Sequence, residues 1–188
     1  MEKLKKILIN KGKIVSDSIL KVDSFLNHQI DYNLMDDIGN EFYSYFKAKN
    51  IDRILTIEAS GIAIGIATAK LFKKPFVFAK KKKPNTMFGK VISTTVLSFT
   101  KNMNYEISLS CEFINQGENV LIVDDFLARG NAASGLCSMV EKAGAHVAGI
   151  GIVIEKSFQG GHTLLKEKGY DLFSLVRLRS LKNKISFY

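Results

Sequence analysis

Apolar residues along the chain alternate between two rhythms. A first helix is expected over Glu2 to Lys11, stopping near Gly12, whereas Ile14 to Ile30 mixes polar and apolar residues with no clean period. Leu34, Ile38, Phe42, Tyr45 and Phe46 then share one face at helical spacing and predict a second helix from about Leu34 to Ala48. Arg53 to Ile57 reads as a strand. The turn Glu58-Ala59-Ser60-Gly61 leads from it into a small-residue helix, Ile62 to Leu71, and another strand begins at Phe76. Two β-rich runs, Val91 to Val96 and Tyr105 to Ser110, are joined by polar Thr100 to Asn104 and give a hairpin signal. Val120-Leu121-Ile122-Val123 reads as a buried parallel strand ending in Asp124 and Asp125, and Ser134, Leu136, Met139, Val140 and Ala143 continue as a helix. A strand from His146 to Ile154, a short helix near His162 to Lys168 and a strand around Leu172 to Val176 complete the pattern.

Strands alternating with helices predict an α/β fold: a single domain over residues 1–188, with a parallel sheet flanked by helices on both faces and a small β-rich hood at about 91–110. The 188 residues suffice for one sizeable core. Hydrophobic residues make up 46% of the chain and the mean hydropathy is +0.06, and charge or glycine interrupts every apolar stretch before membrane-spanning length. Met1-Glu2-Lys3-Leu4-Lys5-Lys6 leads into an amphipathic segment without a cleavage-site pattern, so a cytoplasmic protein with no membrane partner is expected. Cys111 and Cys137 lack any partner spacing and read as free thiols. The formal charge of +9 suits nucleic acid, acidic membranes and polyanionic small substrates alike. The run Lys80-Lys81-Lys82-Lys83, followed by Pro84-Asn85, has no interleaved aromatic residues, which argues against a single-strand-binding surface. Its first members fall at a strand end, where a diphosphate would need cations.

In such a sheet, ligands sit beyond the carboxyl ends of the strands. Glu58-Ala59-Ser60-Gly61, Lys80-Lys81, Asp124-Asp125 and Glu155-Lys156 all fall there. A strand, an acidic pair, a turn and a helix in that order can cup a sugar phosphate: free amides at the helix start attract the phosphate, and carboxylates accept from ribose hydroxyls. An Asp-Asp pair after a strand also serves as a magnesium site or as an ordinary polar strand end, and the pair alone leaves these open.

The segment Val120 to Ala132 resembles the phosphoribosyl-diphosphate signature of the type I phosphoribosyltransferases, with a departure in its turn. Many members place Thr-Gly-Gly-Thr where this chain has Arg129-Gly130-Asn131-Ala132, so backbone amides and the Asn131 side chain are expected to do more, with help from Ser134. Two further stretches, Leu20 to Ile30 and Gly149 to Gln159, resemble the bacterial xanthine phosphoribosyltransferases. The resemblance implies transfer of the 5-phosphoribosyl group from 5-phospho-α-D-ribosyl 1-diphosphate to xanthine, as purine salvage by a homodimer. It places xanthine on Leu20, Asn27 and Lys156, and the 5′-phosphate on Ala128, Arg129, Gly130, Asn131 and Ala132. Asp124 and Asp125 would hold the ribose as the catalytic pair. Ala59, Ser60 and Gly61 would take the diphosphate, neutralised by Lys80 and Lys81, either in their own subunit or across the dimer. Mg²⁺ would ride on the donor, with no direct side-chain ligand. Taken singly, Asn27 is more often a turn residue and Lys156 a surface lysine. The competing readings are a hypoxanthine/guanine or adenine enzyme, or a purine regulator that keeps the fold and binds DNA. Against the regulator, the residues before Ile51 leave little room for a winged helix, and no nucleic-acid partner is expected.

Overall fold

The computed structural model describes residues 1–82, 89–98 and 103–188; Lys83, Pro84, Asn85 and residues 100–102 of the expected connector lie outside them. In chain order the elements are helix α1 (Glu2–Lys11), strands β1 (Lys13–Ser16) and β2 (Ile19–Lys21), a π-helical turn (Asp23–Asn27), α2 (Tyr32–Phe46), β3 (Arg53–Ile57), α3 (Gly61–Phe72) and β4 (Phe76–Ala79). The hood strands β5 (Val91–Ser98) and β6 (Met103–Ser110) follow, then β7 (Asn119–Leu127), α4 (Asn131–Lys142), β8 (His146–Lys156), a 3₁₀ turn (Ser157–Gln159), α5 (Gly161–Glu167), β9 (Leu172–Ser180) and β10 (Ser186–Phe187).

Six strands form the central sheet in the order β10-β9-β8-β7-β3-β4, parallel except for the terminal β10. The alternation of side chains along each strand feeds two cores. Ile54, Leu121 and Val123 point to the face covered by α1, α2 and α3, while Leu55, Val120 and Ile122 point to the face covered by α4 and the hood. Asp31 caps α2 by accepting from the Leu34 amide at 3.2 Å, and the helix then buries Leu34, Ile38, Phe42 and Phe46. A side chain at Gly149 or Gly151 would strike the Phe46 or Phe42 ring, so the glycines of β8 are the seats of two aromatic side chains of α2.

The structure adds to the expected pattern at three places. The stretch from Ile14 to Ile30, which has no clean period, holds the β1–β2 hairpin and the π-helical turn. The signature strand does not end at Val123: β7 runs through both acids to Leu127, because β8 continues to pair with it as far as Leu127↔Glu155. The sheet is not wholly parallel, since the chain end folds back as β10 against β9.

Candidate active site

Chain direction across the sheet sets the place of the site. From β3 the chain crosses outward to β4, then returns to lay β7 on the other side of β3, so the connections diverge between β3 and β7. Such a switch point opens a crevice at the carboxyl ends. Pairing of β3 with β7 stops at Leu55↔Ile122, while Thr56 Oγ1 donates to the Val123 carbonyl at 2.5 Å and holds the strands together at the root. Beyond that point lies a cleft of about 460 Å³.

The two acids take different places in it. Asp125 lines the cleft; Asp124 is buried behind it. Asp125 Oδ1 accepts from the Phe126 amide at 2.9 Å, and Asn27 Nδ2 approaches Oδ2 at 3.4 Å, so the π-helical turn touches the acid pair from a position 98 residues away. Asp124 Oδ1 accepts from the Asp125 amide at 2.9 Å. Burial, and then the neighbouring Asp125 charge, push the Asp124 carboxyl well above its ordinary range, against the opposing pull of Lys81. Gly61 passes beside this carboxylate: a Cβ there would lie 1.9 Å from Thr56 Oγ1 and 3.2 Å from Asp124 Oδ1, so no side chain fits. The peptide between Glu58 and Ala59 is cis, and Glu58 Oε1 accepts from the Lys81 amide at 2.7 Å.

Residues 128–132 line the cleft together, at the point where β7 passes into α4. Gly130 stands at the helix N-cap with φ of 85°, a left-handed turn that leaves the amides of the first turn pointing outward. Asn131 Nδ2 donates to the Leu97 carbonyl at 3.1 Å, which ties this turn to the hood. Opposite, the Lys156 ammonium donates to the Ser18 carbonyl at the tip of the β1–β2 hairpin at 2.8 Å and lies 4.9 Å from the centre of the Phe126 ring. Burial lowers the Lys156 pKa, while Asp125 pulls it back up. An amide-lined turn, a carboxylate and an ammonium thus face one hollow.

The phosphoribosyl transferase domain family matches residues 21–178. A xanthine phosphoribosyltransferase of Clostridium botulinum (strain Eklund 17B / Type B) is 52% identical over 185 residues, covering 98% of this chain and 97% of its own. That of Shouchella clausii is 50% identical over 189 residues, with 100% and 94% covered. The chain belongs to the xanthine phosphoribosyltransferase family. The adenine phosphoribosyltransferase of Rhodothermus marinus shares the phosphoribosyltransferase fold at 22% identity, with a TM-score of 0.75 over 94% of this chain and 97% of its own. The Saccharomyces cerevisiae adenine phosphoribosyltransferase, also 22% identical, superimposes with a TM-score of 0.75 over 93% and 99%.

Within this phosphoribosyltransferase frame, Asp125, Ala128, Arg129, Gly130, Asn131, Ala132, Lys81 and Lys156 line one cleft. Asn27 reaches it through Asp125, and Gly61 through Asp124. Other expected residues stand elsewhere. Leu20 is a core side chain, 5% exposed, because the hairpin turns its neighbour Ile19 to the cleft instead. Lys80 bridges to Ser108 through its backbone and extends over the Phe78 ring, in a groove along the outer edge of the sheet. Ser134 faces a groove beneath the hood, so it does not join the 128–132 turn. Glu155 is wholly buried behind the strand end.

Ser18, Ile19 and Tyr105 of the hood also line the cleft, and the sequence did not single them out. Ser16-Asp17-Ser18, set between apolar pairs, is a turn signal that would have found the hairpin. Tyr105 carries no local signal; its hydroxyl pKa is raised by burial and by the Asp124 charge.

Proposed function

We propose that the chain transfers the 5-phosphoribosyl group of 5-phospho-α-D-ribosyl 1-diphosphate to xanthine, giving xanthosine 5′-monophosphate and diphosphate. The observation that carries this reading is the meeting of the 128–132 turn, Asp125 and Lys156 in one cleft at the switch point of the sheet. Amides at the start of α4 grip the 5′-phosphate. Asp125 accepts from the ribose hydroxyls, with Asp124 packed directly beneath it. The Ala59-Ser60-Gly61 turn takes the diphosphate at the close approach that Gly61 allows, and Lys81 offsets the charge of the leaving group. Lys156, with Asn27 nearby, meets an oxygen-rich purine, because an ammonium can only donate.

The reaction breaks the bond from ribose C1 to the diphosphate oxygen and forms one from C1 to a purine nitrogen, with inversion, and the proton of that nitrogen is released to solvent. Positioning and charge neutralisation suffice for it, and no protein nucleophile is assigned. The adjacent oxygens of Asp124 and Asp125, one of them lining the cleft, suit Mg²⁺ carried on the oxygens of the donor beside the acid pair. When bound there, the ion would lower the charge of the leaving diphosphate.

The reading extends to one phosphoribosyltransferase domain over residues 1–188, supported by the family match over 21–178. It also includes a cytoplasmic homodimer. Lys80, pointing away from its own cleft, is free to serve the partner's. Incubating the protein with labelled phosphoribosyl diphosphate, Mg²⁺ and an equal mixture of xanthine, hypoxanthine, guanine and adenine tests the proposal. Xanthosine monophosphate is expected as the main product; a predominance of adenosine or inosine monophosphate rejects xanthine as the substrate.

A further inference from the structure

With Arg129-Gly130-Asn131-Ala132 in place of Thr-Gly-Gly-Thr, the 128–132 turn has to present a phosphate site through its backbone. Gly130 caps α4 without a side-chain hydrogen bond, and the Asn131 amide is engaged by the Leu97 carbonyl. What sets the backbone lies behind the turn, at the start of α5. The Gly161 amide donates to the Ala128 carbonyl at 3.0 Å. A Cβ added to Gly161 would run into that same oxygen and lie 2.8 Å from the Gly130 nitrogen and 3.0 Å from the Arg129 carbonyl carbon. All three atoms are backbone, so none can rotate aside, and the bare α-carbon of Gly161 rests against three consecutive residues of the turn. Gly130 returns the contact: a Cβ there would meet Leu164 Cδ2 at 3.2 Å and the Gly161 α-carbon at 3.3 Å.

Gly161 is itself anchored. Glu155, wholly buried, pairs in register across the sheet with Leu127, the residue just before the turn. Its Oε2 meets His162 Nδ1 at 2.9 Å and accepts from Ser174 Oγ at 2.6 Å. Its Oε1 accepts from Arg177 Nε at 2.9 Å and from Ser157 Oγ. Burial alone would raise the Glu155 pKa, but the hydrogen bonds from Ser157, Ser174, His162 and Arg177 outweigh it and hold the carboxyl below its ordinary value. Leu165 of α5 is fully buried in the same core as Leu127 and Leu172. These contacts close a ring. Leu127 meets Glu155 across the sheet, Glu155 holds His162, and Gly161, next to His162, returns to Ala128, next to Leu127.

Amides stabilise a phosphate only when they converge on it, and here their aim is fixed by whatever the turn rests on. We infer that Gly161 is a positioning residue for the 5′-phosphate of the donor: its backbone is the surface against which the 128–130 turn is set, and buried Glu155, acting through His162, keeps that surface in place. The inference rests on the reading that the 128–132 turn takes the 5′-phosphate. Gly161, His162 and Glu155 do not line the cleft, so their effect reaches the phosphate only through the turn. The diphosphate, assigned to the Ala59-Ser60-Gly61 turn, lies outside this ring and should not feel it.

The experiment compares variants of the full chain by donor KM, by inhibition constants for ribose 5-phosphate and for diphosphate against the donor, and by thermal melting. Gly161→Ala is expected to raise the donor KM and the ribose 5-phosphate constant about 10- to 100-fold, the scale of a misplacement on the order of an ångström, with the diphosphate constant changed less than about 2-fold. His162→Ala leaves Glu155 three partners and should give a smaller rise of the same kind, about 3- to 10-fold, the scale of one hydrogen bond. His162→Asn, whose amide nitrogen can stand where Nδ1 does, should restore the unmodified values. Gly169→Ala is the control for stability: a φ of 81° strains an alanine there while nothing lies within 4 Å of the new methyl, so Tm falls and neither constant moves. Ala132→Asp sets a carboxylate in the turn itself and should repel the phosphate. If Ala132→Asp weakens ribose 5-phosphate while Gly161→Ala and His162→Ala do not, the positioning role is overturned and the phosphate reading stands. If Ala132→Asp has no effect, the phosphate is not held by this turn, and both the reading and the inference fall. Equal losses for ribose 5-phosphate and diphosphate in Gly161→Ala mean a general loosening of the site and overturn the inference. A rise in Gly161→Ala with none in His162→Ala overturns the part given to Glu155. Should Gly161→Ala not fold, His162→Ala and His162→Asn decide the matter by the same split.

Discussion

Asp124 and Asp125 are adjacent carboxylates exposed by only 5% and 7%. Burial and then the Asp125 charge raise the Asp124 pKa, so folding binds protons that the unfolded chain has released. The sign follows from linkage: this acid opposes folding above its unfolded pKa, and the penalty disappears as pH falls below that value. Such a cost is sustained where charge is needed for function. Asp125→Asn should therefore separate the two properties. At pH 7 its Tm should match or exceed that of the unmodified protein, since one of two repelling charges is gone while Oδ1 still accepts from the Phe126 amide. Its kcat/KM for the phosphoribosyl donor should fall about 10- to 100-fold, the scale of one or two charge-assisted hydrogen bonds. Calorimetry and steady-state kinetics on the same sample check both, and unchanged kinetics would remove Asp125 from the ribose site. Gly61 gives a second handle on this pair. In Gly61→Ala the new methyl meets Thr56 Oγ1 and crowds Asp124, so donor KM should rise and Tm should fall by several degrees, read by kinetics and melting.

At the level of elements, the switch between β3 and β7 is clasped at its lower end by Arg53 and Glu118. The guanidinium donates twice, Nε to Oε2 and Nη2 to Oε1, each at 2.7 Å, and both side chains are largely buried. Hydrogen bonds from Arg53, with help from Asn115, outweigh the opposing effect of burial and lower the Glu118 carboxyl to about 2. The stability it contributes is fully present above its unfolded pKa, near 4.5, and is lost as pH falls towards about 2. Glu118→Gln should cost about 1–3 kcal/mol at pH 7 and flatten the dependence of stability on pH between about 5 and 2, which denaturant melts across that range would show. Elements with a clear period, such as α2, β3 and β8, were legible because one rhythm decided their burial. The β1–β2 hairpin was not, since all four β1 residues are exposed and show no alternation. It nonetheless brings Ser18 to Lys156, a contact across 138 residues that no local pattern encodes. The 128–132 turn and the acid pair were legible for the opposite reason: strand, acids, turn and helix are contiguous. The direction of the Leu20 side chain was not legible, because the hairpin decides which of Ile19 and Leu20 faces inward, and the residues alone do not.

For the molecule as a whole, the question is whether the hood moves over the cleft as a separate flap or belongs to the body. Ile92, Val96, Ile107 and Leu109 are buried in the same core as Leu55, Ile122, Leu136 and Ile152, so the base of the hood is continuous with one face of the sheet. The chain is stitched there at two further points: Lys80 and Ser108 exchange backbone hydrogen bonds at 2.9 and 2.8 Å, and Asn131 holds the Leu97 carbonyl. Gly135 of α4 lies so close to Val96 that an added Cβ would come within 2.8 Å of its methyl. Any closing motion over bound substrate would thus have to bend the strands beyond this root rather than swing the hairpin from its base. Ile107, with no exposed surface, is the residue that tests this. Ile107→Ala should remove about 2–5 kcal/mol from the stability of the entire chain, because the cavity opens in a shared core. Scanning calorimetry should then show one transition, shifted down as a unit, in the variant as in the unmodified protein. A main transition left in place, with a second and weaker one appearing below it, would mean that the hood folds on its own and is free to act as a hinged flap.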